Sequence, residues 1–188
     1  CAFFFMDATD EPSIKKAVYD TKAKFGGIHG CIASAGVGAA ITTIGKKDGQ
    51  VHSSEMFDLV QKINLYGVFN VNKYCADVMA RQEANEDGLR GVIINVASVA
   101  AQEGQKGQVA YGASKGAVAA MTLPMARDLG RHGIRVVCIL PGSIMTPLMS
   151  AASEKVLAGL TGAIVAPKRL GKPEEFAHMV TSCIDNSY

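Results

Sequence analysis

Residues 91–148 read GVIINVASVAAQEGQKGQVAYGASKGAVAAMTLPMARDLGRHGIRVVCILPGSIMTPL. The stretch opens on GVIINVA, an apolar run of strand length. A Gly/Gln loop over 102–108 follows, and then an Ala-rich segment that predicts a helix over 109–131, closed by Gly133. IRVVCIL over 134–140 is a second apolar run, and Pro141-Gly142 breaks it. Strand, helix and strand in succession, with strands apolar throughout rather than alternating, point to a parallel sheet covered on both faces.

The flanks continue the alternation. Residues 1–6 (CAFFFM) suit a buried strand, and Asp10-Glu-Pro-Ser starts a helix to about Lys24 that stops at Gly26-Gly27. Residues 28–34 form another short apolar run, opening into a Gly/Ala loop. After a Gly-, Lys- and Thr-rich loop over 37–52, Ser53-Ser54-Glu55 begins a long helical pattern to about Gln82. Beyond Pro141, a short helix near 153–160, a loop with Pro167 and a helix from Pro173 complete the chain. The order β-α-β-α-β-α-β-α-α predicts an α/β fold, a doubly wound parallel sheet of Rossmann-like type. Ligands on such sheets bind beyond the carboxyl ends of the strands. Asp7, residues 34–38, Ser98 and residues 141–146 all fall at such ends and are expected to share one crevice.

The 188 residues suit one domain with its own core. Net charge is +2 with no polybasic run, so charge makes no case for nucleic acid or an anionic membrane. No apolar run reaches the roughly 18 residues of a membrane span. Five cysteines without a CxxC read as reduced, buried thiols rather than a disulfide framework. The four histidines form no ligand-like cluster, and no metal is expected.

Tyr111 and Lys115 are four residues apart and share a helix face. A tyrosine near pKa 10 is too weakly acidic to serve as a base at neutral pH, and an adjacent ammonium stabilises its phenolate. By itself the pair also fits a solvated helix face. Ser98 ends a strand thirteen residues before Tyr111, where its hydroxyl can hold a substrate oxygen for proton transfer. Strand, Ser, loop and YxxxK helix together are far more specific than any one of them. Asn64 reads as a polar helix position, Asp7 as a turn residue and Pro141-Gly142 as a turn.

With these motifs in place, residues 91–148 resemble the short-chain dehydrogenase/reductase family, and within it the branch acting on 3-hydroxyacyl-CoA thioesters and hydroxysteroids. The segment RLGKPEEFAHMV over 169–180 is similar to the same branch. The resemblance implies hydride transfer between a nicotinamide cofactor and a secondary alcohol or ketone. It makes Ser98 the substrate-orienting residue, Tyr111 the acid/base, Lys115 its activator and ribose ligand, and Asn64 the holder of a proton-relay water. For the cofactor it implies Asp7 and the Ala8 amide at the adenine, close backbone approach at Ala35 and Gly36, and Pro141, Gly142 and Thr146 at the nicotinamide end. NAD is the expected cofactor, with NADP still open. A 3-oxoacyl-carrier-protein reductase is the enzymatic alternative, and a non-catalytic scaffold subunit or inactive fragment the other.

Two departures stand out. Ala33-Ser34-Ala35-Gly36 replaces the family's Asn-Asn-Ala-Gly, so the Asn that braces neighbouring strands is missing. No glycine-rich pyrophosphate fingerprint is present: Gly36-Val37-Gly38 is followed by Ile41 at the third-glycine position. The chain is therefore expected to lack the family's first strand–helix–strand unit and its last strand, and by itself to bind cofactor weakly. Residues 143–167 are the expected substrate lid, and its Met145, Leu148, Met149, Val156, Leu157 and Leu160 face either an apolar substrate or the core. The resemblance further implies a homotetramer packed through the long helices, and a mitochondrial location, with a cytoplasmic one otherwise.

Overall fold

The computed structural model describes residues 1–150 and 153–188, apart from the side chain of Leu148. The chain forms two compact units, Cys1–Leu140 and Pro141–Tyr188. In the first unit α1 (Glu11–Phe25) begins where the Asp10 carboxylate accepts the Ser13 N–H at 2.9 Å. Then come β1 (Gly30–Ala33), α2 (Ser54–Gln61), a π-helical turn (Lys62–Gly67) and α3 (Val68–Ala80). The unit ends with β2 (Gly91–Val96), α4 (Ala100–Glu103), α5 (Val109–Gly130) and β3 (Ile134–Ile139).

The three strands form one parallel sheet in the order β1-β2-β3. Ala33, Asn95 and Cys138 lie in register, so the loops after β1 and β2 leave the sheet at the same edge. Helix α3 packs against all three strands and α5 against β2 and β3. One apolar cluster joins Val18, Cys31, Cys75, Met79, Ile93 and Ile134, and a second joins Ala33, Val68, Ala97 and Val118. Val92, Ile94 and Val96, on the other face of β2, are buried as well. This is the two-faced burial that the unbroken apolar strands imply.

A polar chain crosses this interior. Asn72 of α3 donates to Asn95 Oδ1 at 2.6 Å, Asn95 Nδ2 donates to Thr122 Oγ1 of α5 at 3.1 Å, and Thr122 donates to the Val118 carbonyl at 2.9 Å. All three residues are buried. A buried polar group must be paired, so this chain specifies how two helices sit on the central strand.

The structure corrects three expectations. Residues 1–6 are not a strand: they pair with no described strand, and Phe3 and Phe5 are 89% and 77% exposed. An apolar run becomes a strand only by finding a hydrogen-bonded neighbour. The helix expected over 53–82 is interrupted by the π turn at Lys62–Gly67. The segment after Ser98 contains a helical turn, α4, before the Gly/Gln loop.

In the second unit are α6 (Pro147–Ser150), α7 (Glu154–Ala163) and α8 (Pro173–Asp185). Ile144 bridges Gly171 in parallel. The Arg169 guanidinium grips the Glu175 carboxylate at 2.6 and 2.9 Å, and the same carboxylate accepts the Lys172 N–H at 2.8 Å, closing the start of α8. No helix among the described residues is long and apolar enough to cross a membrane.

Two predictions follow from these contacts. Asn95→Leu leaves an amide hydrogen of Asn72 unpaired in the core and should cost about 1–3 kcal/mol in urea unfolding. The Arg169 guanidinium, then the Lys172 N–H, hold the Glu175 carboxyl down at about 2. Since this is below its ordinary value, the contribution is complete above the unfolded carboxyl's range and is lost as pH falls through about 2. An NMR titration should place the Glu175 midpoint there, and Arg169→Ala should raise it toward 4.5.

Candidate active site

Ser98 lies two residues beyond the end of β2 and is buried. Its hydroxyl oxygen accepts the Ala100 N–H at 3.1 Å, and its carbonyl accepts the Ala101 N–H at 2.9 Å, which folds the chain into α4. The hydroxyl proton has no acceptor among the described residues. Ser98 is thus a fixed donor at the carboxyl end of the central strand.

Tyr111 and Lys115 lie in the first two turns of α5. The Lys115 side chain is buried, its Nζ donates to the Val96 carbonyl at 2.8 Å, and Nζ sits 5.8 Å from the centre of the Tyr111 ring. Burial pushes the Lys115 ammonium below its ordinary value, and the neighbouring Cys138 opposes that shift. The Tyr111 ring is half-buried, and its phenol is hydrogen-bonded to none of the described residues.

Asn64 sits in the π turn with no exposed surface. Its Oδ1 accepts the Val37 N–H at 2.8 Å, and its Nδ2 donates to the Val37 carbonyl at 2.9 Å and to Ser114 Oγ at 3.1 Å. Both amide hydrogens are therefore committed to protein. The side chain braces the loop after β1. Gly36 is held so close that an added Cβ would stand 3.2 Å from Asn64 Oδ1 and 3.5 Å from Lys115 Nζ. Ala35 and Gly36 themselves are exposed at the mouth of the sheet. At Ala33, where the family carries Asn, the methyl group joins the cluster of Val68, Ala97 and Val118, so apolar packing takes the place of a polar brace.

Asp7 and Ala8 lie against the other side of the π turn. The Asp7 carboxylate accepts the Thr9 N–H and hydroxyl, both at 2.8 Å, and these bonds, the backbone one first, hold it below the ordinary carboxylate range. The Ala8 N–H has no partner among the described residues. A Cβ on Gly67 would stand 2.8 Å from the Ala8 carbonyl oxygen. Only glycine permits that approach.

The first unit thus gathers Ala35, Gly36, Asn64, Ser98, Tyr111 and Lys115 around the carboxyl ends of β1 and β2, with Ala8 against Gly67 of the π turn that carries Asn64. Pro141, Gly142 and Thr146 belong to the second unit, where Thr146 accepts the Met149 N–H at 3.3 Å and the Ser150 N–H at 2.9 Å at the start of α6. Sequence reasoning missed Gln61, whose Nε2 donates to the Ala110 carbonyl at 2.9 Å, and Ser114, whose hydroxyl donates to the Tyr111 carbonyl at 2.7 Å. Neither has a motif signal, because each acts on backbone.

A parallel sheet with a strand-end serine and a YxxxK helix defines a class of oxidoreductase. The chain belongs to the short-chain dehydrogenase/reductase family: the family model described as enoyl-(acyl carrier protein) reductase matches residues 1–186. It is 47% identical over its full length to 3-hydroxyacyl-CoA dehydrogenase type-2 of Rattus norvegicus and 46% to that of Homo sapiens, spanning 72% of each. Among solved structures it is similar to 3-hydroxyacyl-CoA dehydrogenase type-2 from Mycobacterium avium, with a TM-score of 0.90 and 35% identity over 99% of this chain and 71% of that one. It is also similar to an NAD+-bound xylitol dehydrogenase, with a TM-score of 0.79 and 29% identity over 95% of this chain and 70% of that one.

The close approach at Gly67 can be tested alone. Gly67→Ala should destabilise the protein by about 1–3 kcal/mol through overpacking. Gly38→Ala, where an added carbon meets nothing within 4 Å, should leave the denaturation midpoint nearly unchanged.

Proposed function

We propose that the protein is an NAD-dependent dehydrogenase acting on 3-hydroxyacyl-CoA thioesters, with both compact units belonging to one catalytic domain. The observation that carries this reading is the Tyr111 phenol, hydrogen-bonded to none of the described residues, with the buried Lys115 ammonium over its ring. In the oxidation direction Tyr111 takes the hydroxyl proton as hydride leaves the carbinol carbon. Ser98 donates its uncommitted proton to the substrate oxygen and fixes its direction. The Lys115 charge stabilises the phenolate oxygen as Tyr111 ionises. Asn64, its own amide engaged, serves the relay through the widened backbone turn around it.

The residues fit a nicotinamide dinucleotide. Thr9 holds the Asp7 carboxyl below its ordinary range, and one carboxylate oxygen, unpaired among the described residues, is left for an adenine amino group, with the Ala8 N–H beside it. Ala35 and Gly36 offer small, exposed backbone, and among the described residues only one of the three Lys115 N–H groups is engaged, which leaves two for ribose hydroxyls. Pro141, Gly142 and Thr146 are assigned to the nicotinamide end on family likeness. When bound, the cofactor supplies the hydride acceptor.

The choice of a fatty acyl thioester, with a steroid as second candidate, draws support from α7. None of its residues is fully buried: Val156 is 49% exposed, and Leu157 and Leu160 are half-buried, which leaves apolar surface on this helix. In the same expected lid, residues 151 and 152 and the Leu148 side chain lie outside the described residues. Exposed Met56, Leu59, Tyr66 and Phe69 on the long helical stretch, with Val109 and Leu123 on α5, favour a homotetramer formed through these helices. A mitochondrial location belongs to the same reading, on family likeness alone.

The test is NADH formation from 3-hydroxybutyryl-CoA by the purified protein. Tyr111→Phe should lower kcat by at least about 100-fold while NADH binding, followed by fluorescence, persists. Turnover retained by Tyr111→Phe would sink the acid–base assignment. A marked preference for the acyl-carrier-protein thioester would move the substrate to the carrier-protein class.

A further inference from the structure

We infer that Gln61 and Ser114 are positioning residues that fix Tyr111 through its backbone, an inference that rests on the acid–base role proposed for Tyr111. No described residue holds the Tyr111 phenol, so its hydroxyl goes where the backbone and rotamer of residue 111 send it. That backbone lies in the first turn of α5, and helix ends fray unless they are tied. Here two consecutive carbonyls are tied from outside the helix ladder. Gln61 Nε2, from the last residue of α2, donates to the Ala110 carbonyl at 2.9 Å. Ser114 Oγ donates to the Tyr111 carbonyl at 2.7 Å.

The second tie is part of a one-way chain. The Val37 N–H donates to Asn64 Oδ1, Asn64 Nδ2 donates to Ser114 Oγ, and Ser114 donates to Tyr111. A serine hydroxyl has one proton. Because that proton goes to Tyr111, the oxygen presents lone pairs to Asn64, and every group in the chain has its proper polarity. Ser114 and Ala110 are buried, and Gln61 is half-buried, so water competes poorly for these bonds. Gln61 is the last residue of α2, and Asn64 lies three residues on, in the π turn that follows it. The two side chains therefore reach the peptide carbonyls on either side of the Tyr111 Cα, Gln61 directly and Asn64 through Ser114. Asn64 also holds the loop carrying Ala35 and Gly36 through Val37. Cofactor loop and acid–base residue are thereby set against one frame.

Proton transfer is sensitive to such placement: an error of about 1 Å costs roughly 100-fold in rate. Gln61→Leu keeps the bulk and removes the donor. Gln61→Glu keeps the shape but sets a carboxylate against a carbonyl. Both should lower kcat for 3-hydroxyacyl-CoA oxidation by about five- to fiftyfold, within that sensitivity. NADH affinity and thermal midpoint should stay close to the parent's. The pH at which oxidation reaches half its maximal rate should also move, because the distance from the Tyr111 oxygen to Lys115 changes. Ser114→Ala should act in the same direction, and Ser114→Thr, which keeps the hydroxyl, should recover most of the loss. Should the Ser114 variants fail to fold, the two Gln61 variants decide. Folded Gln61 variants with parental kcat and pH profile overturn the inference. So does a loss explained wholly by a smaller active fraction with an unmoved pH profile. Tyr111→Phe, run alongside, separates the two layers: if it stays active, the acid–base reading has failed rather than the positioning one.

Discussion

The amide of Asn64 is the joint on which the site depends. It accepts from one backbone group of Val37, donates to the other, and spends its last hydrogen on Ser114. An amide satisfied in this way has one orientation only. The loop after β1, the turn between α2 and α3, and the first turns of α5 are therefore registered to one another by a single side chain. Loss of that registration would not merely remove a contact. It would leave buried donors and acceptors unpaired on three elements at once, and each such group costs about as much as a net hydrogen bond or more.

The π turn is what lets Asn64 face inward. Val60, Asn64, Val68, Asn72 and Ala76 are all buried, at a constant spacing of four residues. In a 3.6-residue helix a four-residue step drifts about 40° around the axis. Several such steps would carry the row off the buried face. One wider turn at Lys62–Gly67 takes up the drift, so Asn64 meets the β1 loop while Asn72 meets Asn95. The same turn brings Gly67 against the Ala8 carbonyl. Local departure from α geometry, central-strand polarity and the approach of residues 7–8 are thus one structural solution.

This explains what was legible in the sequence. The placement of Ser98, Tyr111 and Lys115 could be read because it follows from position on regular elements: a strand end, and one face of one helix. The parallel sheet was readable because GVIINVA and IRVVCIL are apolar at every depth, apart from Asn95 and Arg135. Residues 1–6 misled for a physical reason, since strand formation belongs to a pair and not to a segment. Asn64 was legible only through family likeness, and the four-residue row that betrays the π turn was the available signal. Gln61 and Ser114 had none: a residue that acts on a neighbour's carbonyl leaves no mark in side-chain periodicity.

Burial of Lys115 connects the frame to the chemistry. Desolvation works against its charge, and the Val96 carbonyl offsets only part of that cost. A buried cation with one neutral acceptor gains most from any negative charge that forms nearby. The phenol of Tyr111, 5.8 Å from it by ring centre and hydrogen-bonded to none of the described residues, is a group in the first unit placed to supply that charge. The strength of this coupling depends steeply on distance at low dielectric. Tethers on the Ala110 and Tyr111 carbonyls therefore do more than stabilise a helix end. They hold constant the separation on which the electrostatic gain depends, while the Ala100 N–H fixes the Ser98 hydroxyl just beyond the central strand.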